Sequence, residues 1–352
     1  MVALRIIFMG TAELSRASLE SLARNDNFRV AAVVTQPDKP KGRDLRLQPS
    51  PVKSLAVKLN LPVLQPARAS DEQFIAELRV LQPDLIVVVA FGQILPQTIL
   101  DLPKFGCLNV HTSLLPKYRG AAPIQWAIAN GDTETGVTVM KMDAGLDTGP
   151  IISQRRTAIL PEDDSATLHD RLAQLGAELL AQTIPDYVAG KTQPQPQSNE
   201  SASHAPKIKK EDGRIDWKLP AKTLWNRLRA FTPWPGAFTF LRNAEHRLGA
   251  NPATTNHAEP VLGAPKQHLL KIWKAEIVEK DAGRDSALRC PDAVARRPCP
   301  GEILSADKTG IVVACGRDAL RILELQPESG RRMSASEFLA GHALKAGDKI
   351  ET

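Results

Sequence analysis

The stretch Asp84-Leu-Ile-Val-Val-Val-Ala-Phe-Gly92 decides the fold. Its apolar residues follow one another without polar alternation. A strand with one wet face alternates, whereas a strand covered on both faces reads as an unbroken apolar run. Covering both faces requires helices, and the flanks supply them. Phe74 to Leu81 carries apolar residues at helical spacing, and Cys107 to His111 follows as another short strand. Toward the N-terminus, Leu4 to Gly10 and Val30 to Val34 read as strands. Leu14 to Ala23 and Pro51 to Leu59 read as helices, the second with proline at a position suited to a first turn. Toward the C-terminus, Pro123 to Ala129 is helical and Thr135 to Met142 alternates. Ile151 to Ile159 is expected to pair with it as an edge hairpin. Ser165 to Val188 predicts a long helix with Ser165 as its N-cap. Repeated strand–helix–strand units predict an α/β fold with a mostly parallel sheet and helices on both faces. Ligands in such sheets sit beyond the carboxyl ends of strands, where the strand order reverses.

The punctuation comes after residue 190. Gly190 to His204 is dominated by Gln, Pro and Ser, with no apolar period, and reads as an extended linker or strap. We therefore expect a domain over 1–190, a linker over 191–206 and a second domain over 207–352. In the second, Lys222 to Ala230 is a helix and Phe231-Thr-Pro-Trp-Pro-Gly236 a rigid turn. Ala237 to Leu241, Leu269 to Lys274, Gly301 to Leu304, Gly310 to Ala314 and Leu320 to Leu325 fit a small β-barrel. Stretches at about 251–266 and 281–299 lack periodicity and read as loop insertions.

With 352 residues, the chain suits two domains. No apolar run reaches the roughly 20 residues that span a bilayer. The opening MVALRIIFMG lacks the cleavage pattern of a secretion signal, so we expect a cytoplasmic protein. None of its four cysteines forms a C-x-x-C, and no histidine lies at zinc-ligand spacing from them, so no metal is expected. Residues 1–190 hold 19 of the 45 basic and 20 of the 39 acidic residues, so the back half is the basic one. Such asymmetry suits a polyanionic partner or a solvated basic surface, and charge alone does not separate the two.

Asn109 and His111 flank Val110, so on a strand they share a face. Two such side chains can donate to one oxygen and stabilise an oxyanion, and the imidazole can also move a proton. The plainer alternative is a strand end whose polar groups are satisfied by backbone. Asp143-Ala-Gly-Leu-Asp147-Thr-Gly-Pro150 supplies a tight loop in which Asp147 could orient that imidazole. Its plainer alternative is a Gly-rich hairpin whose aspartates bind their own backbone. No G-x-S-x-G, P-loop or G-x-G-x-x-G is present. That leaves proton management and oxyanion stabilisation without a covalent intermediate, which fits direct acyl transfer to an amine. Gln36 to Gln48 is a polar loop carrying Lys39, Lys41, Arg43 and Arg46, suited to a phosphate backbone or to plain solvation.

Taken together, Asn109-x-His111, Ser113-Leu-Leu-Pro116, Tyr118-Arg-Gly120 and the Asp143–Gly149 loop resemble the tetrahydrofolate-dependent formyltransferases. The branch acting on charged initiator tRNA is the narrower resemblance. Arg119 to Gln125, Thr35 to Asp38, Phe231 to Pro235, Leu325 to Pro327 and Met333 to Leu339 carry it. The resemblance implies a Rossmann-like catalytic domain followed by a barrel-like (OB-like) domain that helps hold tRNA. It implies 10-formyltetrahydrofolate as donor, methionyl initiator tRNA as acceptor and a monomeric enzyme without metal. By the match, Asn109, His111 and Asp147 are catalytic. Ser113, Leu114, Leu115 and Pro116 contact folate, and Phe91, Gly92, Gln93, Ile94 and Leu95 lie beside the pterin. Arg43 meets the tRNA acceptor end, with Lys39, Lys41 and Arg46 in the same loop. Enzymes formylating an amino sugar nucleotide or glycinamide ribonucleotide are the neighbouring alternatives. A binding module without activity is the alternative of another class. Thr112 stands where the family often has Gly or Ala, and Gly10 to Leu14 lacks the usual Pro and Phe.

Overall fold

The computed structural model of the chain describes residues 3–41, 46–242, 267–279 and 298–351. It divides into two compact units. The first comprises Met1–Ala127 and Asp132–Lys207, the second Ile128–Gly131 and Ile208–Thr352. The segment expected as a linker thus clusters with the first unit.

The first unit begins with β1 (Leu4–Gly10), α1 (Ser15–Ala23) and β2 (Phe28–Val34). A short hairpin of β3 (Lys39–Lys41) and β4 (Arg46–Gln48) follows, then α2 (Pro51–Lys58), β5 (Val63–Leu64) and α3 (Glu72–Leu81). Next come β6 (Leu85–Val89), α4 (Gln97–Leu100), β7 (Cys107–His111), β8 (Arg119–Gly120) and α5 (Pro123–Ala129). The unit ends with β9 (Glu134–Lys141), β10 (Ile151–Ala158), α6 (Ser165–Val188) and β11 (His204–Ala205). Seven strands form one sheet in the order β10-β9-β7-β6-β1-β2-β5. The pairs from β7 through β6, β1 and β2 to β5 are parallel. β9 and β10 add the antiparallel edge hairpin expected from sequence.

All five residues of β6 are buried, as its unbroken apolar run requires. Ile86 and Val88 pack with Ile7, Met9, Phe74, Leu78 and Ile99 on one face. Alternation sends Leu85, Val87 and Val89 to the other. The N-terminus of α6 differs from expectation by one residue. Asp164, not Ser165, is the N-cap: its Oδ1 accepts from the Ala166 and Thr167 N–H groups, both at 2.9 Å. Thr167 Oγ1 accepts the Asp164 N–H in return. A carboxylate satisfies two orphan donors and faces the positive end of the helix, which a hydroxyl does less well.

Beside that cap lies an ion pair between buried Asp163 and half-buried Arg171. Arg171 donates to both oxygens of Asp163, and the Leu160 N–H donates to Oδ2 at 2.7 Å. Burial alone would raise the Asp163 carboxyl. The hydrogen bonds from Arg171 and Leu160 outweigh it and hold the carboxyl below its ordinary value. A carboxyl depressed by folding stabilises the fold above its unfolded pKa, and that contribution fades as pH falls through the folded value. Asp163→Asn should therefore lower stability to urea at pH 7, with the gap to wild type closing below about pH 4. Denaturation midpoints at pH 7 and pH 3 measure this; an equal gap at both would refute it.

The second unit holds α7 (Ala221–Ala230), β12 (Ala237–Arg242), β13 (Gln267–Val278), β14 (Ile303–Asp307), β15 (Gly310–Ala314) and β16 (Ala319–Pro327). β17 (Met333–Ser334), α8 (Ala335–Gly341) and β18 (Ile350–Glu351) complete it. The antiparallel sheet runs β14-β15-β16-β13-β12-β18, with β17 on β16. A bridge between Glu302 and Lys349 joins the start of β14 to the segment entering β18, so the sheet curls into a barrel-like shape. Trp217, fully buried, packs in its core with Leu224, Ile272, Val313 and Leu325. The insertion at 251–266, and 281–297 of the second, lie outside the described residues. Cys107 and Cys315 are free thiols, and burial pushes both up to about 12, which keeps them protonated.

Candidate active site

The chain leaves β1 toward β2 and β5, then crosses to β6 and β7 on the other side. The strand order therefore reverses between β1 and β6. At that point a cavity of about 530 Å³ opens, within the range of small-molecule sites. Ala90 to Leu95, leaving β6, line one side, and Met142 to Asp147 line another. Asn109 and His111, at the end of β7, line it between them.

The loop after β6 is fixed from beneath by polar side chains. Thr11 Oγ1 donates to the Phe91 carbonyl at 2.9 Å, and Gln36 Nε2 donates to Phe91 and Gly92 at 3.0 and 3.1 Å. Gly92 has φ of +80°, and a β-carbon there would stand 2.6 Å from Gln36 Nε2. The five positions expected beside the pterin, Phe91 to Leu95, all line the cavity. Phe91 is buried and Ile94 exposed at its rim.

The turn Ser113 to Pro116, expected to contact folate, follows β7 directly. None of its four residues lines the cavity. Ser113 is buried and donates to the Lys117 carbonyl at 2.6 Å. The Leu115 N–H reaches Thr138 Oγ1 at 3.1 Å, and the Leu115 carbonyl takes Gln154 Nε2 at 2.8 Å. The Leu114 side chain lies against Gly136. With its polar groups used internally, the turn routes the chain from His111 to Tyr118. The polar loop at 36–48 is also not open: β3 and β4 pair antiparallel. Lys39 Nζ donates to Gln36 Oε1 at 2.6 Å, and Arg46 is exposed. Lys41 lies on β3, and Arg43 lies outside the described residues. Asp38, at the base, pairs with Lys53 of α2 at 2.7 Å.

Asp147 is the hub of the site. Its Oδ2 accepts the Gly120 N–H at 2.8 Å, and its Oδ1 accepts Asn109 Nδ2 at 3.3 Å. His111 Nδ1 stands 3.6 Å from Oδ2. The other ring nitrogen, Nε2, lies 2.9 Å from the Tyr118 carbonyl. A carbonyl only accepts, so Nε2 carries a proton and the neutral ring presents a bare Nδ1. At 3.6 Å from the carboxylate, Nδ1 is not locked in a hydrogen bond and remains open to the cavity. Once protonated, it becomes a donor with a counter-ion alongside. Asn109 keeps one amide hydrogen beyond the one given to Asp147. Asp143 behaves as the plainer reading had it: its Oδ1 binds the Gly145 N–H and Thr148 Oγ1 of its own loop.

Three non-glycine residues around the site take left-handed backbone: Ala90, Tyr118 and Asp147, at φ of 43°, 64° and 54°. Such conformations persist where their surroundings over-determine them. Sequence reasoning missed the supports that do this, notably Gln36 and Gln197. Neither stands in a periodic pattern, and Gln197 falls in the stretch read as a linker.

A switch-point cavity with an amide, an imidazole and a carboxylate is equipped to stabilise an oxyanion and move a proton. Among the described residues, no Ser, Cys or Lys side chain lines it. Together these suit the transfer of an acyl group. The comparisons agree. The family model described as formyl transferase matches residues 4–184, and that of the formyl transferase C-terminal domain matches 207–343. A methionyl-tRNA formyltransferase of Trichlorobacter lovleyi is 46% identical over 344 residues, covering 97% of this chain and 96% of its own. The one from Geobacter sulfurreducens is 45% identical over 350 residues, covering 99% and 98%. Among solved structures, HypX from Aquifex aeolicus in complex with tetrahydrofolic acid superposes with a TM-score of 0.55 at 16% identity. It matches 96% of this chain, which spans about half, 47%, of HypX; at that identity the likeness is one of fold. The chain belongs to the formyl transferase family.

Proposed function

We propose that this enzyme transfers the formyl group of 10-formyltetrahydrofolate to the amino group of methionyl initiator tRNA. The observation that carries this reading is the near-complete match, over both domains, to methionyl-tRNA formyltransferases at about 45% identity. The cavity geometry supplies the chemistry. The methionyl amine attacks the formyl carbon, forming the new C–N bond as the carbonyl electron pair moves onto oxygen. Asn109 Nδ2 and the protonated Nδ1 of His111 donate to that oxyanion. Asp147 balances the imidazolium and takes the proton released by the amine. Collapse of the intermediate breaks the bond to the folate nitrogen, which leaves with that proton. The folate lies against Phe91 to Leu95, whose backbone is held in place by Thr11 and Gln36.

The acceptor tRNA is drawn by positive charge. Lys39, Lys41, Arg43 and Arg46 meet its acceptor end, and the second unit supplies further basic surface. There, Lys222 and Arg229 stack on the Trp225 ring at 4.3 and 3.9 Å from its centroid. Arginine and aromatic side chains together suit phosphates and unstacked bases. The reaction belongs to the compartment of translation, which we take to be the cytoplasm.

The test is formyl transfer from 10-formyltetrahydrofolate to charged initiator tRNA, charged elongator tRNA, an amino sugar nucleotide and glycinamide ribonucleotide. We expect product on initiator tRNA above all others. Product on the small amines alone would overturn the reading.

A further inference from the structure

The Gln- and Pro-rich segment after α6 is stitched into the first unit. Gln195 exchanges both main-chain hydrogen bonds with Ile151, at 2.8 and 2.7 Å. β11 pairs in parallel with β8, setting His204 opposite Arg119 and Ala205 opposite Gly120. The Arg119 N–H donates to the Ser203 carbonyl at 2.8 Å. Ile151 opens the strand that follows the Asp143–Gly149 loop, and Gly120 donates to Asp147. The strap therefore grips the chain on both sides of the loop bearing Asp147.

Gln197 lies between those two seams. Its Nε2 donates to the Asp147 carbonyl at 2.9 Å and the Gly149 carbonyl at 2.7 Å. Its Oε1 accepts from Arg119 Nε and Nη2 at 3.0 and 2.9 Å. Carbonyls only accept and a guanidinium only donates, so these partners settle which way the amide faces. Arg119 is buried, and its Nη1 donates to Asn199 Oδ1 at 3.0 Å. One side chain thus ties the backbone of Asp147, at its left-handed φ, to a buried cation in the adjoining strand.

We propose that Gln197 is a positioning residue for the reaction. It holds the backbone of Asp147 so that the carboxylate meets Gly120, Asn109 and His111 at once. The inference rests on the role given to Asp147 above. Side-chain placement of this kind governs turnover more than affinity, because a misplacement of about 1 Å at a reacting group costs on the order of 10²-fold in rate.

The experiment measures formyl transfer to charged initiator tRNA by the full-length wild type, Gln197→Ala, Gln197→Glu and Gln195→Ala, with the melting temperature of each. Gln197→Glu is the informative variant. It keeps the shape and accepts from Arg119 more strongly, but turns oxygen toward two carbonyls where the wild type donates. We expect both Gln197 variants to lose about 10- to 100-fold in kcat, with KM carrying the smaller share. Gln197→Glu should lower the melting temperature by only a few degrees, its stronger bond to Arg119 offsetting in part the two carbonyls left without a donor. Gln195→Ala should match wild type, since its side-chain amide reaches only the Gln193 carbonyl. Wild-type kcat in Gln197→Glu overturns the positioning role. So does a loss in both variants that merely follows a lower melting temperature. A wild-type chain inactive in formyl transfer overturns the underlying reading along with it, whereas an active wild type with indifferent Gln197 variants strikes the positioning role alone.

Discussion

Replacing His111 with alanine should lower kcat by about 10²–10³, the range for loss of one donor to a developing oxyanion. The ring is buried, with one nitrogen committed to the Tyr118 carbonyl and the other facing the cavity beside Asp147. Truncation removes the imidazolium donor and leaves the carboxylate without its counter-ion. It also removes the hydrogen bond to the Tyr118 carbonyl, which costs stability, so the melting temperature must accompany the rates. His111→Asn separates the two effects. An asparagine can donate to a carbonyl but cannot take a proton, so its turnover should stay near that of His111→Ala. Turnover of either variant within about twofold of wild type would remove His111 from the mechanism.

Gly149→Ala should be nearly as damaging, by another route. A β-carbon at Gly149 would stand 1.8 Å from the Lys141 carbonyl oxygen, and real β-carbons essentially never come within 3.0 Å of such atoms. The obstacle is backbone, so no side chain can swing aside. Lys141 ends β9, and its N–H is bonded to the Pro150 carbonyl at 2.9 Å, so the two strands pinch together at this glycine. Opening the pinch by about 1 Å displaces Asp147, two residues earlier, and a shift of that size costs on the order of 10²-fold in kcat. Gly341→Ala is the control, having nothing within 4 Å of its added carbon. Wild-type single-turnover rates in Gly149→Ala would show that the loop tolerates a wider neck.

The α/β sheet was legible in the sequence because its physics is periodic. Asp84 to Gly92 declared a strand buried on both faces, and Leu85 to Val89 are all buried. Asn109 and His111 could be put on one face because side chains on a strand alternate, and both line the cavity. The features that escaped are those without a period. The strands of the β3–β4 hairpin, Lys39–Lys41 and Arg46–Gln48, are too short to carry a period. Asp164 and Ser165 are both good caps, and only the geometry of the turn separates them. The hydrogen bonds that set the turn at Ser113 to Pro116 run to Thr138 and Gln154, distant in sequence. Gln197 meets its partners about 50 and 78 residues away, in a stretch whose composition read as an extended linker or strap.

The strap also bears on how the protein might be dissected. Composition suggests that a catalytic fragment could end at residue 190, where the long helix gives way to Gln and Pro. Hydrogen bonding draws the border elsewhere. Gln195 pairs with the edge strand of the sheet, Gln197 bonds the loop of Asp147, and His204–Ala205 pairs with Arg119–Gly120. A recombinant piece meant for ligand screening should therefore run through Lys207, or its principal pocket will be displayed with one wall unlaced.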